Sequence, residues 1–94
     1  MDLKDLREEI DKIDDEMVNL FVRRMETAAQ IAAYKKEHNL PILVPAREQE
    51  KLADVAQKAG PAMAEYTKML YALLFELSRN HQNRLTDTDN EAIL

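Results

Sequence analysis

A positively charged residue interrupts an apolar stripe that runs along the first third of the chain. Apolar side chains recur at spacings of three and four residues between positions 3 and 31, which places them on one face of a helix. Continuing this spacing seven residues beyond Met17 gives Arg24. Because a guanidinium cannot lose its charge, it requires a negative partner once packing removes it from water. That partner is either one of the protein's own carboxylates, in a structural ion pair, or an anionic ligand.

A second cation lies on the same side of this helix. Lys35 follows Arg24 by eleven residues, about three helical turns, so the two side chains point in nearly the same direction. The residues between them on that face are small, among them Ala28 and Ala32. Two cations separated by alanines predict a hollow with positively charged rims.

Arg7 belongs to the same helix but lies too far from these two cations to join them. It precedes Arg24 by 17 residues, which is about 25 Å along the helix axis. In an antiparallel dimer, however, Arg7 of a second chain could reach the hollow. The alternative is a surface ion pair with Asp11, one turn later on the same helix.

Four further polar residues are candidates for the same hollow. Three of them lie on the inward side of a predicted helix, and for the fourth the local sequence offers no reason. Glu48 precedes Leu52 by four residues, and the helix dipole alone could favour an acid there. Its neighbour Arg47 opposes that dipole. Ser78 and Gln82 stand where the third helix would carry leucines, unless that helix emerges into water at this point. With the two cations, these residues predict a pocket for a compact dianion that carries a hydroxyl, held by charge-assisted hydrogen bonds.

Three helices are expected to position these residues. Glycine occurs once and proline three times in 94 residues, a composition typical of an all-α protein. Pro41 and Pro45 bracket an extended connector, and Gly60-Pro61 separates the second helix from the third. The predicted helices span residues 3–36, 45–59 and 61–84. They form one domain over residues 1–85, followed by a flexible C-terminal tail over residues 86–94.

The length of the first helix predicts a dimer. A helix of 34 residues is about 50 Å long, whereas a compact chain of this size is only about 30 Å across. Its apolar stripe therefore extends beyond what one chain can cover. We expect an intertwined homodimeric helical bundle in which the first helix crosses between chains. A long helix with a frayed end is the alternative.

Composition also excludes several classes of function. The chain has no cysteine and only two histidines without the paired spacing of a zinc motif, so no metal or cofactor is expected. A net charge of −5 argues against nucleic acid as a partner, although a local pocket can still gather cations. No run approaches the roughly 18 apolar residues of a membrane span, and the N-terminus lacks a signal peptide's apolar core. The expected location is the cytoplasm.

Five segments between Leu6 and about Gln82 form a recognisable pattern. The segments are LREEIDKID at 6–14, RR at 23–24, IAAYK at 31–35, PARE at 45–48 and SRNHQ at 78–82. The first and the fourth are distinctive, and the spacing of all five together is specific. Over this range the chain resembles the all-helical chorismate mutases. The resemblance implies an intertwined dimer of three-helix chains with two equivalent active sites. It also implies an isomerase that converts chorismate to prephenate, a Claisen rearrangement without a cofactor or covalent intermediate.

The resemblance further implies a role for each candidate residue. Arg24 and the Arg7 of the partner chain would each hold one carboxylate of the substrate. Lys35 would contact a carboxylate and the ether oxygen, and Gln82 would bond that oxygen from the other side. Glu48 would bind the ring hydroxyl. The residues that line the rest of the site would be Ser78 and Arg47.

The sequence departs from the family pattern at one position, and two alternative functions are also compatible with it. Some members have an acidic residue four positions before the glutamate, and here that position is Val44, so Glu48 and the backbone alone would hold the hydroxyl. Isochorismate pyruvate-lyases use the same scaffold with similar cations. A non-catalytic helical dimerisation module, with Arg24 in a structural ion pair, is an alternative of a different class.

Overall fold

The computed structural model describes the backbone of residues 1–93 and the side chains of residues 1–85. Over this part the chain folds into three helices and no strand: α1 (Leu3–Glu37), α2 (Pro45–Ala59) and α3 (Ala64–Ile93). The predicted all-α class with a long first helix is therefore confirmed. Among the described helices, none has the combination of length and hydrophobicity that crossing a bilayer requires.

The helix ends follow from local sequence. The Asp2 side chain caps α1 by accepting a hydrogen bond of 2.9 Å from the Asp5 backbone N–H. Pro45 occupies the first turn of α2, where its missing N–H costs nothing. Gly60 ends α2 with a φ of +86°, a conformation that glycine adopts without a steric penalty. These three positions explain why the first two helices have nearly the predicted bounds.

The third helix differs from its predicted bounds at both ends. Residues 61–63 form a turn, so α3 begins at Ala64 and not at Pro61. It extends to Ile93, beyond the predicted end at residue 84, and no glycine or proline follows that position. The flexible tail predicted for residues 86–94 falls on residues whose side chains lie outside the described part, and it stays a prediction.

α3 is the helix that packs against both of the others. It contacts α2 more extensively than α1. Among the residues with described side chains, the buried ones are few, namely Val55 and Ala56 on α2 and Ser78 on α3, and α1 contributes none. A single chain therefore builds its small core where α2 and α3 meet, and it leaves most of α1 uncovered.

The apolar stripe of α1 is exposed in a single chain. Six of its side chains are between 44% and 61% exposed: Leu3, Leu6, Ile10, Ile13, Met17 and Leu20. The radius of gyration is 17.1 Å and the longest extent is 57 Å, whereas a compact chain of this length has a radius of gyration of about 12 Å. The first helix thus projects well beyond the rest of the chain, as its length led us to expect.

Candidate active site

A cavity of about 380 Å³ lies where the C-terminal half of α1, the connector, the first turn of α2 and α3 converge. This volume lies within the range of small-molecule binding sites. The cavity is situated where the sequence predicts a hollow, with Ala28 and Ala32 in its wall. Six of the seven candidate residues line it: Arg24, Lys35, Arg47, Glu48, Ser78 and Gln82.

The lining of this cavity is cationic although the chain as a whole is acidic. Among the described residues of the lining, Arg79 joins the three expected cations and Glu48 is the one carboxylate, so together they carry a net charge of +3. The net charge of the whole chain is −5. A concave site with low-dielectric walls concentrates such a field and attracts ligands of the opposite charge. The cavity is therefore suited to an anion.

Arg24 reaches the cavity from α1 and is half-buried. Its Cζ lies 5.5 Å from the ring centroid of Tyr71 and 5.6 Å from that of Phe75, so two aromatic rings of α3 support the guanidinium. Among the described side chains, no carboxylate lies within ion-pair distance of Arg24. Within residues 1–85, the structural ion pair considered as an alternative is thus absent.

Lys35 is also half-buried and lines the same cavity. Its Nζ donates to the backbone oxygen of Ile42 at 3.3 Å, which ties the connector to the end of α1. An ammonium group carries three N–H donors, so this single contact leaves donor capacity for a ligand. Lys35 therefore combines a held position with a positive charge directed at the cavity.

Arg47 and Glu48 line the cavity from the first turn of α2, and each has a protein partner. Nη1 of Arg47 lies 3.7 Å from Oε2 of Glu50, an exposed pair within one helix of the kind that contributes little stability. Glu48 accepts from Nη1 of Arg79 through both carboxylate oxygens, with a distance of 3.2 Å to Oε2. Arg79 is thus a residue of the cavity that the sequence reasoning missed. The available signal was its place inside the matching segment 78–82.

Ser78 and Gln82 face the cavity from successive turns of α3. Ser78 is buried, and its hydroxyl donates to the Leu74 backbone oxygen at 2.8 Å. Nε2 of Gln82 lies 3.5 Å from the Ala28 backbone oxygen on α1, a long contact for a hydrogen bond. α3 therefore does not emerge into water at these positions, and that alternative is wrong.

Arg7 does not line the cavity of its own chain. Within residues 1–85, whose side chains are described, it forms no ion pair, so the surface pair with Asp11 is also absent. It lies on the exposed first part of α1, among the uncovered apolar side chains. A contribution of Arg7 to the cavity of a partner chain stays a prediction.

Comparison with curated proteins finds relatives that contain a similar segment. They include a T-protein of Haemophilus influenzae, 46% identical over 61 residues, or 62% of this chain and 16% of the relative. A bifunctional chorismate mutase/prephenate dehydratase of Aquifex aeolicus is 49% identical over 49 residues, or 52% of this chain and 14% of the relative. The matched segments thus span about a sixth of these relatives' length. No solved structure matches the chain significantly.

A comparison with family models covers nearly the whole chain. The model described as chorismate mutase type II matches residues 6–83. That range contains all seven candidate residues and all the residues that line the cavity. On this match, the chain belongs to the chorismate mutase type II family.

Proposed function

We propose that this protein is a chorismate mutase, an isomerase of aromatic amino-acid biosynthesis that converts chorismate to prephenate. The observation that carries the proposal is the cationic cavity of a chain that belongs to the chorismate mutase type II family. A relative whose name includes chorismate mutase supports it further. Chorismate is a compact dianion with a ring hydroxyl and an ether oxygen. The cavity offers cations for the carboxylates, Glu48 for the hydroxyl and donors for the ether oxygen.

The rearrangement needs no nucleophile or general base, and the proposed roles reflect this. The C–O bond breaks ahead of C–C bond formation, which leaves partial negative charge on the ether oxygen. Lys35 and Gln82 stabilise that charge more strongly in the transition state than in the substrate, which is the condition for catalysis. Arg24, supported by two aromatic rings, holds a carboxylate and helps to enforce the compact chair conformer.

The magnitude of the acceleration is within reach of these contacts. A millionfold rate enhancement requires a barrier lowered by about 8 kcal/mol. Removing one well-placed donor from an active site typically costs about 3 kcal/mol. Two donors at the ether oxygen, together with selection of one substrate conformer, are therefore enough to lower the barrier by this amount.

The proposed active unit is a homodimer that shares residues between chains. The uncovered stripe on α1 supports a second copy as its occupant, because the stripe is apolar along the part of α1 that extends beyond the cavity. Antiparallel packing of α1 against its copy would bring Arg7 of the partner chain toward the cavity, where it would hold the second carboxylate.

If the protein is a dimer, its mass in solution should be twice the 10.9 kDa of one chain. Burial of the α1 stripe gives the physical reason, since apolar surface removed from water drives association. Sedimentation equilibrium over a range of micromolar concentrations measures this mass. A monomer throughout that range would contradict the shared-site arrangement.

The function itself is tested by mixing the purified protein with chorismate and following the loss of its absorbance. Product analysis with chorismate and, separately, with isochorismate then distinguishes the candidates, because a mutase forms prephenate from chorismate and an isochorismate pyruvate-lyase releases pyruvate from isochorismate. We expect prephenate. If the protein shows no turnover and does not bind a bicyclic dicarboxylate transition-state analogue, the non-catalytic dimerisation module is the remaining interpretation.

The substitution Gln82→Glu should make the enzyme active only at acidic pH, where the new carboxyl group is protonated. The amide of Gln82 donates a hydrogen bond at any pH, whereas a carboxyl group donates only when it is protonated. At neutral pH the variant would place a negative charge beside the developing charge on the ether oxygen. We expect kcat/KM of the variant to rise as pH falls, while the wild-type profile stays nearly flat. A flat pH profile of kcat/KM in the variant would show that Gln82 does not donate to the ether oxygen.

A further inference from the structure

Arg79 and Glu48 form an ion pair that differs from the other pairs among the described side chains. The other four join residues three or four positions apart within one helix, and they lie on the surface. The pair of Arg79 with Glu48 joins α3 to α2 across 31 residues of sequence. Both of its members also line the cavity. It is therefore a contact of the cavity wall as well as a link between helices.

Glu48 requires this restraint because of its surroundings. Of the lining residues that the structure describes, it is the one carboxylate, and besides Arg79 it shares the cavity with three cations: Arg24, Lys35 and Arg47. Its side chain is 28% exposed, so attraction to those cations is only partly screened by water. Without Arg79, the carboxylate would be drawn toward the cations that the substrate's own carboxylates need. With Arg79 in place, it is held at the junction of α2 and α3.

The ion pair leaves Glu48 able to accept a further hydrogen bond. A carboxylate has about four acceptor positions, and the single Nη1 of Arg79 occupies only part of them. Two other cavity residues lie near the start of α2, and neither can share this task, because the Val44 side chain is apolar and the Arg47 side chain has no acceptor. Recognition of a ligand hydroxyl at this end of the cavity therefore depends on Glu48.

We propose that Arg79 is a positioning residue that holds the Glu48 carboxylate toward the ring hydroxyl of the substrate and so sets the affinity for hydroxylated substrate. This inference rests on the proposed function. It assigns Arg79 no contact with the substrate's carboxylates or with the reacting atoms. Its effect passes through Glu48 alone, and this separates it from a fourth anion-binding cation.

The first test is the variant Arg79→Met, which keeps the aliphatic stem and removes the charge. We expect kcat/KM for chorismate to fall about tenfold, mostly through a higher KM, because the hydroxyl contact is the same in substrate and transition state. Arg79→Lys should restore most of the loss, since an ammonium can also pair with the carboxylate. Circular dichroism and sedimentation confirm that each variant is folded and dimeric before it is assayed.

Lys68→Met is the matched control. Lys68 is on the same helix, its side chain has the same 44% exposure as that of Arg79, and it pairs with a glutamate outside the cavity. We expect its KM and kcat to stay within twofold of the wild type. A loss in this variant equal to that of Arg79→Met would assign the effect to helix stability and overturn the inference.

The second test asks whether the effect passes through Glu48. Arg79→Met should change KM less than twofold when it is made in a Glu48→Gln background, or when the substrate is an analogue without the ring hydroxyl. A full tenfold loss in both cases would show that Arg79 binds the substrate directly, and an unchanged KM with chorismate would show that it has no role. Either result overturns this inference while wild-type turnover still supports the proposed function. An inactive wild type overturns both.

Discussion

Lys35→Ala is expected to lower kcat/KM for chorismate at least a hundredfold. Lys35 lines the cavity with its head group held by the Ile42 backbone oxygen, so its charge is in place before the substrate arrives. A donor that acts mainly on charge developing in the transition state contributes about 3 kcal/mol, which corresponds to a loss of this size. Steady-state rates over a range of chorismate concentrations measure it, and kcat should fall together with kcat/KM.

Lys36→Ala is the control for this variant. Lys36 has the same charge and also belongs to the last turn of α1, but it is exposed and lies outside the cavity. Its kinetic constants should stay close to those of the wild type. A change of less than threefold in Lys35→Ala would exclude Lys35 from the mechanism.

Chains carrying Arg7→Ala and chains carrying Arg24→Ala should complement each other when they are mixed. Each variant alone is expected to lose activity at least a hundredfold, since every site then lacks one of the two cations that hold the carboxylates. In a heterodimer of the two variants, one site combines an intact Arg24 with an intact Arg7 from the other chain. Random exchange between equal amounts of chain should therefore restore about a quarter of the wild-type activity.

A second pair of variants controls for the exchange itself. Arg24→Ala and Lys35→Ala affect residues that line the same chain's cavity, so no heterodimer of these two variants contains an intact site. Mixing them by the same procedure should restore nothing. If the Arg7 mixture also failed to recover, Arg7 would lie outside the shared site, and the second carboxylate would need another partner.

Part of this site follows from spacing along one helix. Arg24 and Lys35 are eleven residues apart, and the regular geometry of a helix places them on one side whatever surrounds it. Ala28 and Ala32 lie between them for the same reason. The caps and prolines that bound α1 and α2 are similarly local, because each acts on backbone groups only a few residues away. These features could therefore be predicted before the helices were packed together.

Other features depend on how the helices meet. The rings of Tyr71 and Phe75 support Arg24, and Arg79 pairs with Glu48, through contacts between residues far apart in sequence. Nothing in a helical repeat specifies which residue of α3 faces the first turn of α2. Local signals also misplaced the start of α3, since Pro61 suits a first helical turn but belongs here to the preceding turn.

Sequence alone determined the class of fold, the charged face of α1 and the candidates for an anion site, because helix periodicity and side-chain chemistry are local properties. Only the tertiary structure showed that six of those candidates surround one cavity, that Arg24 meets no carboxylate among the described side chains of its own chain, and that Glu48 is held by Arg79. These facts depend on the packing of α3 against both other helices. Packing arises from the shapes of two surfaces together, and no single segment of sequence contains it.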